Sequence, residues 1–262
     1  MKHGVSSSSF KKSHKTTTKI SLNSLPEELL VEISSRVAAS SFSDVHNLQL
    51  VSKTFQNYCN DGYVFQRVSF HGIPLFPWHR RNREKFSKFF KRCLRNGNPE
   101  ALYRKGLIDY FHLDSAKEQG HGGGIEYLAR AAEKGNQEAR YVYGIILICL
   151  GGKTKQKGFK ILSSLIKPLM SSTVKEVATL RKINRDIILW RGGPMMRQLK
   201  GSYVREKCNC DGRTEMFLAK SCVSNGFDED SNIITSSSSS SSSSFCEICL
   251  WHHEVHLFLK ND

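Results

Sequence analysis

Acidic residues and long apolar runs are scarce in this chain. Its 24 aspartates and glutamates face 39 lysines and arginines, a net charge of +15, and no acid precedes Glu27. That balance raises nucleic acid, acidic proteins and anionic membranes as partners. The cations are dispersed, however, from Lys11 through the Arg80 to Arg95 stretch to Lys207, as solvated helix faces disperse them. The longest apolar run, Ile145 to Leu150, falls far short of the ~18 residues a membrane span needs, so no membrane partner is expected. Residues 1–20 are rich in serine, threonine and lysine and carry no apolar stretch behind Lys2. They read as a disordered tail, not as a secretory signal. With 8 cysteines and no such signal, reduced thiols or a metal site are expected in place of a disulfide framework.

Catalytic signatures are incomplete as well. Gly151-Gly152-Lys153-Thr154 ends like a phosphate-binding loop, but Leu147 stands where that motif requires glycine. His253-Glu254-Val255-His256 is one residue short of the helical zinc-protease pattern, so its two histidines would not share a face. No activated nucleophile or carboxylate pair assembles elsewhere. The chain reads as a non-enzyme.

What is present is organised around Ser24 to Phe55. Ser24 can cap a helix, Glu27 completes a capping box, and Pro26 falls in the first turn, where a missing N–H is harmless. At about 100° per residue, Leu25, Leu29, Leu30, Ile33 and Val37 share an arc of roughly 140°. A second stripe runs Val45, Leu48, Val51, Phe55 and Cys59 after a Ser43/Asp44 start. Val31 and Leu50 lie off these stripes. Apolar residues on both sides of short helices suit either a core shared with the rest of the chain or a partner surface, and spacing alone does not decide between them.

The run Leu25-Pro26-x-x-Leu29-Leu30-x-x-Ile33, followed by Leu48-x-x-Val51-Ser52-Lys53-x-Phe55, resembles an F-box across residues 21–68. The resemblance implies a three-helix module that docks on a Skp1-type adaptor and, through it, a cullin. Leu25, Pro26, Leu29, Leu30, Val31, Ile33, Leu50, Val51, Ser52 and Phe55 are the candidate partner-binding residues. The polar break Ser40-Ser41-Phe42 departs from the family pattern.

Downstream, residues 69–98 hold a proline-bounded connector and a basic amphipathic helix. In it Phe86, Phe89, Phe90, Cys93 and Leu94 recur at helical spacing among Lys85, Lys88, Lys91 and Arg92. An internal repeat follows over residues 99–170. Gly97-Asn98-Pro99-Glu100-Ala101 through Gly106 realigns, 38 residues on, with Gly135-Asn136-Gln137-Glu138-Ala139 through Gly144. Gly124 and Gly158 lead the second helix of each copy. Repeating helix pairs of this period mark an α-solenoid. The first copy resembles a Sel1-like repeat, a relative of the tetratricopeptide type. Residues 171–206 are expected to form a capping helix, from about Thr173 to Trp190 and stopped by Gly192-Gly193-Pro194, and then a linker.

The segment 207–262 is rich in cysteine and interrupted by a polyserine loop, Ser236 to Ser244. Cys208, Cys210, Cys246 and Cys249 offer two thiolate pairs for a structural zinc, with Cys222 or a histidine as substitutes. A reduced, loosely packed tail fits the same residues. Cys59, Cys93 and Cys149 read as small core residues.

The fold class expected is mostly α: an F-box-like module, a short α-solenoid and a small Cys/His-rich end. The function expected is the substrate receptor of an SCF-type ubiquitin ligase in the nucleus, the cytoplasm or both. The adaptor would sit on the first helices and an unknown protein target on the repeat. The alternatives are a basic zinc-binding protein contacting nucleic acid, which leaves the first helix pair unexplained, and a helical scaffold with no ligase role.

Overall fold

The computed structural model describes residues 25–75, 83–113, 123–165, 171–189, 192–205 and 246–260. The tail, the polyserine run, Ser24, Cys208, Cys210 and Cys222 lie outside these residues. Every regular element among the described residues is an α-helix.

Four short helices come first: α1 Glu27–Ser40, α2 Phe42–Val51, α3 Lys53–Tyr58 and α4 Gly62–Arg67. Pro26 stands just before α1, and its carbonyl oxygen accepts from the N–H groups of Leu29 and Leu30 at 3.1 and 3.2 Å. The polar break does local work, because the Ser41 hydroxyl accepts from Ser43 N–H at 3.1 Å and starts α2. The single helix expected through Phe55 is in fact two. Ser52 adopts extended backbone and its hydroxyl accepts from Phe55 N–H at 3.2 Å. A serine that can bond its own downstream N–H competes with helix continuation.

Helix α5, Arg83–Arg95, turns its apolar stripe onto this module. The resulting core joins Ala38, Val45, Cys59, Val64, Phe65 and Phe70 to Phe90 and Cys93 of α5. Ala101, from the next helix, closes it.

The repeat is α6 Pro99–Tyr110, α7 Gly123–Glu133, α8 Gln137–Leu150 and α9 Gly152–Ser163. Its recurring letters have recurring jobs. Gly97 and Gly135, at φ +73° and +92°, make the left-handed turns that glycine adopts without penalty. Asn98 and Asn136 then cap α6 and α8, accepting from the N–H groups of Ala101 and Ala139 at 2.9 and 2.7 Å. Within each pair small residues admit the partner helix. A methyl group at Gly106 would lie 2.7 Å from Leu128 Cγ, and one at Gly144 2.6 Å from Leu162 Cγ.

Asn98 also locks the two halves together. Its side-chain amide reaches the carbonyl oxygens of Phe65, Gln66 and Val68 at 2.9, 3.1 and 2.8 Å. Six residues on, the Arg104 guanidinium donates to the carbonyl oxygens of Phe70 and Ile73 at 2.6 and 2.8 Å. It also pairs with Glu100 at 3.1 Å.

Three further helices complete the second core: α10 Ser171–Leu189, α11 Gly193–Ser202 and α12 Glu247–Leu259. The linker expected after Leu189 is therefore partly helical. Pro194 sits in the first turn of α11, so the Gly-Gly-Pro that stops one helix starts the next. The loose tail that the residues after 245 also allowed gives way to a docked helix. Trp251, Val255, Phe258 and Leu259 of α12 are buried against α8 and α9. The Tyr141 hydroxyl donates to Glu254 at 2.6 Å, Arg181 pairs with the same carboxylate at 3.1 Å, and the Tyr203 hydroxyl meets His252 Nδ1 at 2.6 Å.

Candidate functional site

The N-terminal module leaves an apolar surface uncovered. Leu29 is 49% exposed, and Leu50 and Val51, at the end of α2, are 73% and 72% exposed. Pro26 is exposed and Leu25 half-buried at the mouth of α1. All three are large apolar side chains of α1 and α2 left in contact with water. Helix α1 touches α2, α3 and α4, so the exposed groups stand on a scaffold braced from several sides.

The candidate residues divide by position. Leu25, Pro26, Leu29, Leu50 and Val51 reach solvent, Ile33 is half-buried, and Ser52 is spent on the cap of α3. Leu30 and Phe55 do not face outward, and the expectation that they meet a partner is corrected: both are buried within this chain. Val31, like Ile33, is half-buried, with part of its side chain packed on the first core. On a short helix the wheel gives two apolar sides and does not say which one the rest of the chain will claim.

Sequence reasoning missed a second concave feature. Between α2, α3 and α5 lies a groove of about 540 Å³ floored by Phe42, Phe86 and Phe89. Phe42 stacks edge-on against Phe86 and Phe89, with centroids 5.4 and 4.8 Å apart. Its only sequence signal was the basic stripe of α5, whose phenylalanines do face this chain's own core as their spacing predicts.

For the metal expectation, Cys246 precedes α12 and is half-buried, while Cys249 is buried in it. Among the described residues no group of three or more His, Cys, Asp or Glu side chains is placed to hold an ion. No described helix is long and apolar enough to cross a membrane. Burial pushes the Cys93 and Cys149 thiols up to about 12, in keeping with core residues and not with nucleophiles.

The two halves also match different family models. Residues 22–71 match the family described as F-box-like, and residues 71–188 match plant tetratrico peptide repeats. A relative in Arabidopsis thaliana, described as an F-box protein, is 53% identical over 215 residues, covering 81% of this chain and 69% of the relative. This chain belongs to the F-box protein family. Two further F-box proteins of the same plant share 36% and 28% identity over 137 residues. Those alignments span 79% and 34% of the relatives' own lengths. No solved structure matches the chain. The F-box match ends at residue 71, where the Asn98 and Arg104 clamps take hold of the chain, so Leu29, Leu50 and Val51 lie in the F-box half and the repeat braces that half.

Proposed function

We propose that this F-box protein is the substrate-receptor subunit of an SCF-type ubiquitin ligase, with a Skp1-type adaptor seated on Pro26, Leu29, Leu50 and Val51 and a protein target held by the helical repeat. The observation that carries this reading is the uncovered apolar surface on the F-box-like module, where Leu50 is 73% exposed. Fully covering one leucine contributes about 1.5–3 kcal/mol, so a few of them suffice to seed an interface. In this role the chain performs no bond chemistry. It raises the effective concentration of the target near the ubiquitin donor carried by other subunits.

Co-purification with a Skp1-type adaptor tests the proposal. The intact chain should bind one to one, and the double variant Pro26→Ala, Leu29→Ala should lose binding by at least about tenfold while its circular dichroism stays unchanged. A folded chain with no adaptor binding at micromolar concentration leaves a helical scaffold with no ligase role.

Zinc rests on Cys246 and Cys249 together with the cysteines before the polyserine run. Elemental analysis of chain purified without chelator checks it, and an absence of bound zinc removes it.

A further inference from the structure

The groove between α2, α3 and α5 has a chemistry of its own. Phe42, Phe86 and Phe89 make its floor, and Lys85, Lys88 and Arg92 rise along the α5 side. Its remaining walls are neutral amides and one imidazole, with no aspartate or glutamate among the lining residues. The cations differ in freedom. Lys85 is exposed. Lys88 pairs with Glu84 at 2.7 Å across open solvent, an arrangement of little net worth. Arg92 donates to Asn60 Oδ1 at 3.0 Å and lies 4.4 Å from the centroid of Phe65, which fixes its guanidinium beside the groove.

Shape narrows the occupant. Phe42, His46 and Gln49 recur at i, i+4 and i+7 on α2, and Lys85 and Arg92 are seven residues apart on α5, so the groove runs roughly 10 Å along both helices. That length holds about three residues of extended chain at ~3.3 Å each. A volume of about 540 Å³ suits a large apolar side chain with its neighbours. The phenylalanines are locked edge-to-face against one another, which leaves a notched floor instead of the flat stacking platform a nucleobase wants.

We propose that this groove docks an acidic peptide segment of a partner protein, with one leucine- or phenylalanine-sized side chain on the phenylalanine floor and flanking carboxylates toward Lys85, Lys88 and Arg92. Charge complementarity selects this occupant: the walls carry only positive charge, in a chain whose net charge is +15. The site borders the adaptor surface without coinciding with it. On α2 the Phe42-His46-Gln49 stripe turns to α5, Val51 points about 160° away from Gln49, and Leu50, four residues after His46, stands at the groove's rim. The groove therefore adds a target-side contact that does not depend on the adaptor reading.

Fluorescence anisotropy on the full chain without adaptor tests it. The probe is a labelled Asp/Glu-rich peptide bearing one central leucine. Wild type should bind it, with affinity falling as salt rises, because exposed charges are screened within about a Debye length. The double variant Lys85→Glu, Lys88→Glu alters two exposed side chains and should keep its fold. It should bind at least about tenfold more weakly and should gain affinity for the matching Lys-rich leucine peptide. Replacing the peptide's leucine by serine should weaken binding to wild type. Equal binding by wild type and the charge-reversed variant overturns the proposal, as does tighter binding of single-stranded RNA than of the peptide. Displacement of the peptide by a saturating Skp1-type adaptor would make the groove part of the adaptor's own footprint and overturn it as a separate site. None of these results alters the co-purification outcome, so the two proposals fail independently.

Discussion

Glu254 is the most exacting residue in the second half. It is buried, yet it accepts a hydrogen bond from Tyr141 and pairs with Arg181. Burial raises its pKa above the ordinary carboxylate value, against the opposing pull of the Arg181 charge and the Tyr141 hydroxyl. A proton held more tightly in the folded chain than in the unfolded one stabilises below the unfolded pKa, and that contribution is lost as pH rises through the folded value. Urea midpoints measured upward from about pH 4 should therefore show wild type losing stability relative to Glu254→Gln, which has no proton to lose. Parallel curves for the two proteins would mean that the ion pair with Arg181 fully offsets the burial. How little of this was legible beforehand has a simple cause. His253-Glu254-Val255-His256 was read for its metal spacing, while the partners of Glu254 lie on α8 and α10, 113 and 73 residues away in the chain. Gly106, Gly144, Asn98 and Asn136 were legible because caps and close helix approaches recur with the repeat.

At the scale of helices, α1 and α2 leave fewer of the candidate residues facing outward than the F-box resemblance implies. Leu30 and Phe55 went to the interior, Val31 only in part, and Leu50 and Val51 did not. The break at Ser52 explains the second pair. Had α2 continued through Phe55, Val51 would have shared Phe55's buried stripe, whereas the cap turns the chain and strands Val51 in solvent. Leu50→Lys follows as a clean probe, because it deletes apolar surface that no described residue covers. Its thermal midpoint should match wild type, since substitutions at such exposed positions fall within about 0.5 kcal/mol, while adaptor binding weakens at least about tenfold. A lowered midpoint with binding intact would show Leu50 serving its own fold. The groove beside these helices was invisible for a topological reason: Phe42 meets Phe86 and Phe89 across more than forty residues of sequence.

For the molecule as a whole, the decisive contact is the Asn98 clamp. One amide caps α6 and gathers three carbonyl groups at the end of α4, so the F-box half and the repeat share a joint instead of a hinge. Asn98→Ala removes a cap worth about 1 kcal/mol and leaves at least one buried carbonyl group short of a donor, at about 1–3 kcal/mol. Chemical denaturation should show a loss of about 2–4 kcal/mol and a transition that broadens or splits as the halves uncouple. A sharp transition at the wild-type midpoint would assign the joint to Arg104 alone.

The docking of α12 carries a different implication. Tyr203 and His252 touch, so two points 49 residues apart in the sequence are held side by side. Once both ends of a detour are pinned side by side, its length hardly matters, and doubling it adds only about 0.6 kcal/mol of closure entropy. The tract Ser236 to Ser244 lies between Tyr203 and His252 in the sequence. Serines can be gained or lost there over generations while the helices on either side stay where they are.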